Sequence, residues 1–451
     1  MGGFTTFNIQ HGFTESLIRG MRSTFLTSSD YHHLTQCESL DDAKMNLQET
    51  DYGDKVSSLT TSSNSSSNSK TLTMSPSAVQ QLCVEKLVEE INYLKTQSVA
   101  PLSQFLDFVT YEYMIENVML LLKGTLSGRD VNELIESCHP LGMFKESTMR
   151  SIPTFESSAK GYADLYQTVL IDTPVGKYFS MFLLESSASL GAASEVRNVL
   201  EEVEIEIIKS SLIKFWLEVR HGMARHGMAR HGTAWHGMAR QVKQTQTSQF
   251  SNKKQQQKPS SLDHNSTTQP HNQDFHTFCV DTVGGDTGET MGEILKTRAD
   301  TTAINITLNS FGTALNEPSM RGSDRKRLYP SFGHLYPAGT NMLATVSDEE
   351  GLGNVLNSFP QYAFAWSAHS NDAGDNKSID DAFYERDVQM LELAFEGQFH
   401  FGPFYAYVKL KEQEIRNLVW ITECILQGQK EEINNYVPIF DMNSSWRSGK
   451  R

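Results

Sequence analysis

The sequence predicts an all-α protein, and three observations carry that prediction. Apolar residues recur at helical spacing: Val84, Leu87, Val88 and Ile91 follow i, i+3, i+4, i+7, and Tyr384, Val388, Leu391 and Phe395 step by four, three and four. Start signals of the form Ser-x-x-acid stand beside such segments at Ser39…Asp42, Ser127…Asp130, Ser347…Glu350 and Ser378…Asp381. There the hydroxyl can accept from a free backbone N–H while the acid favours the positive end of the helix. Strand patterning is confined to AINITLNSFG, where Ile304, Ile306 and Leu308 alternate with polar residues. Ile304, Leu308, Phe311 and Leu315 also fit a helix, and a lone strand has nothing to pair with, so helix is the reading adopted.

In chain order, MGGFTTFNIQHGF lacks the basic start and apolar run of a secretory signal. Gly2 and Thr6 match the loose myristoylation pattern, which is short and common enough that a chance match is expected. Residues 57–77 are Ser/Thr-rich with few large apolar side chains, hence a flexible loop. The most apolar stretch, FLDFVTYEYMIENVMLLLKG, is interrupted by Asp107, Glu112, Glu116 and Lys123, far short of the ~20 apolar residues that span a bilayer. Any membrane role is therefore expected to be peripheral. Leu200, Val203, Ile207 and Leu212 suggest another helix, preceded by a small, polar stretch at 185–194. The clearest helix starts at Gly402-Pro403, where proline is tolerated in the first turn. Phe404, Val408, Ile415, Leu418, Val419 and Leu426 share one side of it, and Lys409, Gln413, Arg416 and Asn417 the other. Lys411 and Glu412 sit on the apolar flank, which calls for a buried or interfacial salt bridge rather than a catalytic carboxylate.

Bulk properties narrow the function. A chain of 451 residues can hold two or three domains, and a net charge of −15 argues against a general nucleic-acid binder. Residues 219–262 hold eight Lys or Arg and no acid, so the remainder carries −23, the −15 less that +8. Five widely spaced cysteines (Cys37, Cys83, Cys138, Cys279, Cys424) form neither a disulfide framework nor a zinc ribbon and suit a reducing compartment.

No motif yields an enzyme. RHGMARHGMARHGTAWHGMAR (220–240) repeats a five-residue unit, and on a helix each step would rotate the next histidine by about 140°, spraying His221, His226, His231 and His236 around the axis. The glycine after each histidine also disfavours helix. Imidazoles on a disordered segment can bind a metal adventitiously, but the uniform repeat points to tandem duplication or retained intron sequence rather than a built site. VGGDTGET (283–290) lacks the Gly-Lys-Ser/Thr ending of a phosphate loop and reads as a loop between helices. Cys138-His139-Pro140 has no recognisable third member for a protease dyad. The N-x-S/T sites at Asn64, Asn265, Asn305, Asn376 and Asn443 carry no weight without secretion, and FHFGPFYAY reads as core. No catalytic, cofactor-binding or metal-ligating residue is assigned.

What remains after removing the insertions resembles the subunit d family of the vacuolar-type proton ATPase. The resemblance lies in QCESLDDAKMNLQETDYG (36–53), PLSQFLDFVTYEYMIENVMLLLKGTL (101–126), CHPLGMF (138–144), ITLNSFGTAL (306–315) and LYPSFGHLYPAG (328–339). It is strongest in FYERDVQMLELAFEGQFHFGPFYAYVKLKEQEIRNLVWITECILQGQKEEINNYVPIF (383–440). It implies an all-α, three-lobed funnel of helical bundles with pseudo-threefold repetition, plus disordered insertions. The implied division is 1–218 as N-terminal and middle lobes (with the loop at 57–77), 219–273 as a low-complexity insertion, 274–440 as the C-terminal lobe and 441–451 as a disordered tail. It also implies a non-catalytic membrane-sector subunit, without cofactor, on the cytoplasmic face of an acidic-organelle membrane. Its partners would be the proteolipid rotor ring, the central stalk and other membrane-sector subunits. Two alternatives stand beside this one: a stationary helical linker in a membrane-associated complex, and a metal-binding protein using the histidine repeat.

Overall fold

The computed structural model describes residues 2–59, 74–126, 129–144, 149–150, 173–176, 178, 275–370 and 379–440. Every regular element among them is helical. The longer helices are α1 (Gly2–Met21), α2 (Ser28–Gln36), α3 (Leu40–Gln48), α4 (Gly53–Val56), α5 (Pro76–Thr96), α6 (Leu102–Leu126) and α7 (Val131–Glu136). After residue 274 come α8 (Gly285–Ser310), α9 (Ala338–Leu343), α10 (Glu349–Ser358), α11 (Ala363–Ser370), α12 (Ile379–Leu393) and α13 (Gly402–Gln427). The segment AINITLNS lies inside α8, so the helical reading holds. The histidine repeat, the rest of 219–273, the stretch 185–194, the helix through Leu200, most of the Ser-rich loop and the tail 441–451 lie outside the described residues. So does most of the chain that a middle lobe and a threefold repeat would need.

Local chemistry sets the helix starts. Ser39 accepts from the Asp42 N–H at 3.2 Å while Asp42 receives the Ser39 N–H at 3.1 Å, a reciprocal cap of the expected form. Thr27 and Asp30 make a second one ahead of α2. Two expected starts shift by sequence neighbours. Asp130 itself caps α7, and Asp348 rather than Ser347 caps α10 by accepting from the Gly351 N–H at 2.8 Å. In each case the aspartate stands at the N-cap position itself, where its carboxylate accepts the free N–H groups of the first turn. Ser127 and Ser378 lie outside the described residues.

Helix α13 is the axis of the main core. It packs most extensively on α5 and α12, and also touches α1, α3, α6 and α8. Phe404, Val408, Ile415 and Leu418 are buried as the wheel predicts. Leu426 departs from that side: it is 58% exposed, because the helix ends at Gly428 (φ 69°) beyond the packed body. The opposite side departs too. Gln413 and Asn417 are buried, since neighbouring helices cover α13 on several sides. Asn417 donates to Tyr31 Oη at 3.2 Å and to the Val437 carbonyl at 2.6 Å, so the polar stripe is an internal seam.

Helix α8, roughly 39 Å long for its 26 residues, joins two cores. Met291, Ile294 and Leu295 belong to the core around α13, whereas Ala303, Ile304 and Ile306 pack with Leu343, Leu352, Leu356 and Phe383 in a second. Between them Asp300 accepts from Tyr362 Oη (2.6 Å) and the N–H groups of His334 (2.7 Å) and Leu335 (3.1 Å). The second core also holds Arg325, fully buried, whose guanidinium donates to the carbonyls of Leu343 (2.9 Å) and Val346 (2.6 Å) and to Ser310 Oγ (2.8 Å).

Helix α1 is not anticipated by apolar spacing, because its inward stripe is His11, Thr14, Glu15 and Ile18. Glu15 pairs with Arg19 at 2.9 Å and accepts the Phe399 N–H at 2.9 Å, while Arg19 donates to the Phe395 carbonyl at 2.8 Å. The N-terminal helix is thereby pinned to the turn that launches α13.

Candidate functional site

The most chemically loaded feature is a charged cleft of about 420 Å³ between α6, α8, α12 and α13. Each helix contributes side chains at i, i+3, i+4 or i+7, as one face of a helix must. From α6 come Glu112 and Glu116; from α8, Arg298, Thr302 and Asn305; from α12, Tyr384 and Asp387; from α13, Tyr405, Lys409, Glu412 and Arg416.

At its inner end Glu112 is bracketed by two cations. Arg298 donates to Glu112 Oε1 and, at 2.8 Å, to Tyr405 Oη. Lys409 lies 2.9 Å from Glu112 Oε2, 3.0 Å from Glu412 and 3.1 Å from Tyr113 Oη, with its ammonium 4.7 Å from the centre of the Tyr113 ring. Burial alone would raise the Glu112 carboxyl, but Arg298 and Lys409 overcome it and hold the group down at about 2. The two cations are in turn raised: burial pulls each down, and Glu112 together with the other acidic groups around them, Glu412 among them, more than offsets it. Toward the mouth, Arg416 donates to Gln413 Oε1 at 2.9 Å and lies 4.5 Å from the centre of the Tyr384 ring. Asp387 stands apart: burial raises its carboxyl to about 6, only partly countered by Arg298, Lys409, Arg386 and Arg416. No direct hydrogen bond or ion pair to a described residue holds it.

A second polar knot lies on the far flank of α13. Lys411 and Glu414, 2% and 0% exposed, pair at 2.8 Å. Glu414 also accepts from Tyr52 Oη at 2.6 Å and the Leu26 N–H at 2.6 Å, and Lys411 donates to the Thr24 carbonyl at 3.1 Å. The salt bridge expected on this flank therefore exists, but Lys411 pairs with Glu414, and Glu412 turns to Lys409. The reason is helical phase: Glu412 faces the cleft, whereas Glu414 faces the loop before α2.

The other sequence motifs do not assemble a reaction centre. Cys138 donates to the Leu134 carbonyl at 3.3 Å and burial pushes its thiol to about 11, while His139 accepts the Leu141 N–H and stacks on Tyr113 at 4.5 Å. The thiol stays protonated and the imidazole is held by its own turn, so the pair is not a nucleophile and base. The expected loop VGGDTGET contracts to Gly284 (φ 65°), because α8 begins at Gly285. Asn305 sits mid-helix in the cleft wall, where a glycan has no room, and the other N-x-S/T asparagines lie outside the described residues. Phe401, Phe404, Tyr405 and Tyr407 are core, as expected. Among the described residues no three His, Cys, Asp or Glu side chains converge to hold a metal ion. Among them, too, no helix is long and apolar enough to cross a membrane. The cleft itself escapes sequence reasoning, although Glu112 and Glu116 inside the most apolar stretch were the signal that could have marked it.

Comparison with known proteins gives a consistent result. The family model described as ATP synthase (C/AC39) subunit matches residues 14–229 and 249–436, and the break falls inside 219–273. The chain is 36% identical over 439 residues to "V-type proton ATPase subunit d" of Dictyostelium discoideum, covering 97% of this chain and 98% of that protein. It is 37% identical over 432 residues to "V-type proton ATPase subunit d2" of Arabidopsis thaliana (96% and 97% covered). With "V-type proton ATPase subunit d" of Saccharomyces cerevisiae it shares 31% identity over 434 residues (96% and 99% covered).

Proposed function

This chain belongs to the V-type proton ATPase subunit d family, and from that premise we propose that it links the central rotor stalk to the proteolipid ring of a proton-translocating rotary ATPase. As a membrane-sector subunit it transmits torque between ATP hydrolysis and proton movement and catalyses nothing itself. It sits peripherally on the cytoplasmic face of an acidic-organelle membrane. The observation that carries this reading is the end-to-end match: 36% identity across 97% of the chain leaves little that is not subunit d.

Physical chemistry supports it. A torque-bearing part needs stiffness, and close-packed helices supply it, since a dense interior transmits strain rather than absorbing it. Here α13 runs through a continuous core reaching from Ile18 to Ile439, with polar knots on opposite flanks. The division into lobes at 1–218 and 274–440, with 219–273 as an insertion between them, belongs to the same proposal.

Crosslinking in the intact complex isolated from membranes tests it. Contacts with ring and stalk subunits are expected; contacts confined to stationary peripheral subunits would sink the rotor reading in favour of a stationary linker. Deleting residues 220–240 should leave proton pumping intact, and loss of pumping together with loss of metal binding would favour the histidine-repeat reading.

A further inference from the structure

The cleft between α6, α8, α12 and α13 is lined by four carboxylates and three cations. The cations are committed: Arg298 to Glu112 and Tyr405, Lys409 to Glu112 and Glu412, Arg416 to Gln413 and the face of Tyr384. Arg386, beside the cleft on α12, turns to Gln389 at 3.4 Å. That leaves Asp387, partly exposed, without a donor, and on the opposite wall Asn305 Oδ1 also lacks one among the described residues. Both vacancies are acceptors. The rim offers Tyr384 (42% exposed), Arg416 and, one turn along α13, Trp420 (39% exposed), the residue types that dominate protein-binding hot spots.

We propose that this cleft is a socket for one basic side chain, arginine or lysine, of a central-stalk subunit, with Asp387 as the acceptor and the Tyr384–Arg416–Trp420 rim seating the flanking backbone. The inference rests on the rotor reading. Three features favour a cation on a protein arm over other occupants. The lining carries one more carboxylate than cations, so an incoming positive charge is complemented and an anion is repelled. Ile294, Val388 and Leu391 provide apolar wall for the stem of a long side chain. The volume of about 420 Å³ admits one such side chain without unfolding the helices. In the free chain the half-buried Asp387 carboxylate has no hydrogen-bond donor among the described residues, and an arriving guanidinium or ammonium supplies one. The groups facing Asp387 are Glu112 and Glu116 from α6, Arg298 from α8, Tyr405, Lys409, Glu412 and Arg416 from α13, and Arg386 on its own helix. With its carboxyl raised to about 6, docking should weaken as pH falls below that value, because the protonated acid no longer attracts a cation.

The test uses the intact complex carrying Asp387→Asn or Asp387→Glu, with retention of the stalk-bearing catalytic sector read at ~0.15 M salt. Asp387→Asn should lower retention at least about tenfold, and Asp387→Glu should keep most of it. The isolated Asp387→Asn chain should melt at the same temperature as the parent or higher, since it loses an unpaired carboxylate. Unchanged retention overturns the socket. So does a lowered melting temperature, which would show that Asp387 serves the fold. Loss of ring contacts with stalk contacts kept overturns the choice of partner. Crosslinks in the parent complex keep the two readings separate: stalk and ring contacts present with Asp387→Asn indistinguishable sink only the socket, whereas their absence sinks the rotor reading and the socket with it.

Discussion

Lys411→Met probes the knot that ties the first fifty residues to the last helix. Lys411 and Glu414 are 2% and 0% exposed and 2.8 Å apart, so neither charge has water to fall back on. Removing one member of a buried pair costs ~3–5 kcal/mol, because the survivor is left charged and unpaired. Glu414 would retain two donors, Tyr52 Oη and the Leu26 N–H, each at 2.6 Å, which places the expected loss near the lower end, about 3 kcal/mol. Glu414→Leu should cost more, about 5 kcal/mol, since it orphans the ammonium, the phenol and the amide together at ~1–3 kcal/mol for each neutral donor. In Lys411→Met/Glu414→Leu no charge is stranded, so the double variant should fall short of the sum of the singles by about 2 kcal/mol or more. Urea titration of the purified chain, followed by tryptophan fluorescence, gives all three midpoints. A Lys411→Met loss below about 1 kcal/mol, or singles that add to within about 0.5 kcal/mol, would refute the claim that these two side chains lock the N-terminal segment onto α13.

Two further outcomes follow from the packing. Gly142→Ala would place a Cβ 2.4 Å from the Tyr113 carbonyl carbon and oxygen, backbone of α6 that cannot swing aside, so a loss of about 3 kcal/mol or more is expected in the same titration. A parent-like midpoint would mean that the Pro140–Gly142 turn lifts freely from α6. His276 is held neutral, its imidazole lowered to about 4 by burial first and Lys296 second, against an ordinary value of 6.5. Above pH 6.5 this costs nothing; below it the unfolded chain takes the proton first, so stability drains away between pH 6.5 and about 4, by up to ~3 kcal/mol. His276→Phe should flatten that acid limb, as midpoints at pH 7 and pH 4.5 would show, and parallel limbs in the two proteins would contradict it.

Helices whose burial follows apolar period were legible in the sequence. Leu87 and Ile91 in α5, Val388 and Leu391 in α12, and Phe404, Val408, Ile415 and Leu418 in α13 point inward as their spacing requires. The Ser39–Asp42 cap was legible too, because a capping box is a contact between residues three apart. Helix α1 was not, since its buried stripe of His11, Thr14, Glu15 and Ile18 is mostly polar and satisfied by residues almost 400 positions away. The cleft stayed hidden for the same reason. Lys409 and Arg416 look like part of a solvated stripe until Glu112 and Arg298 are brought against them across 297 and 111 residues of chain, reckoned from Lys409.

The all-α class, the major helix at Gly402 and, through long collinear blocks, the family could be read from the chain alone, because these depend on local period and residue identity. The partners of the charges were set by how distant helices pack. Whether Lys411 pairs with Glu412 or Glu414, and whether Asp387 has any partner, turns on which helices stand within 4 Å of α13. Ion pairing and desolvation act through space over a few ångströms, and no pattern along the chain encodes which distant helix arrives there.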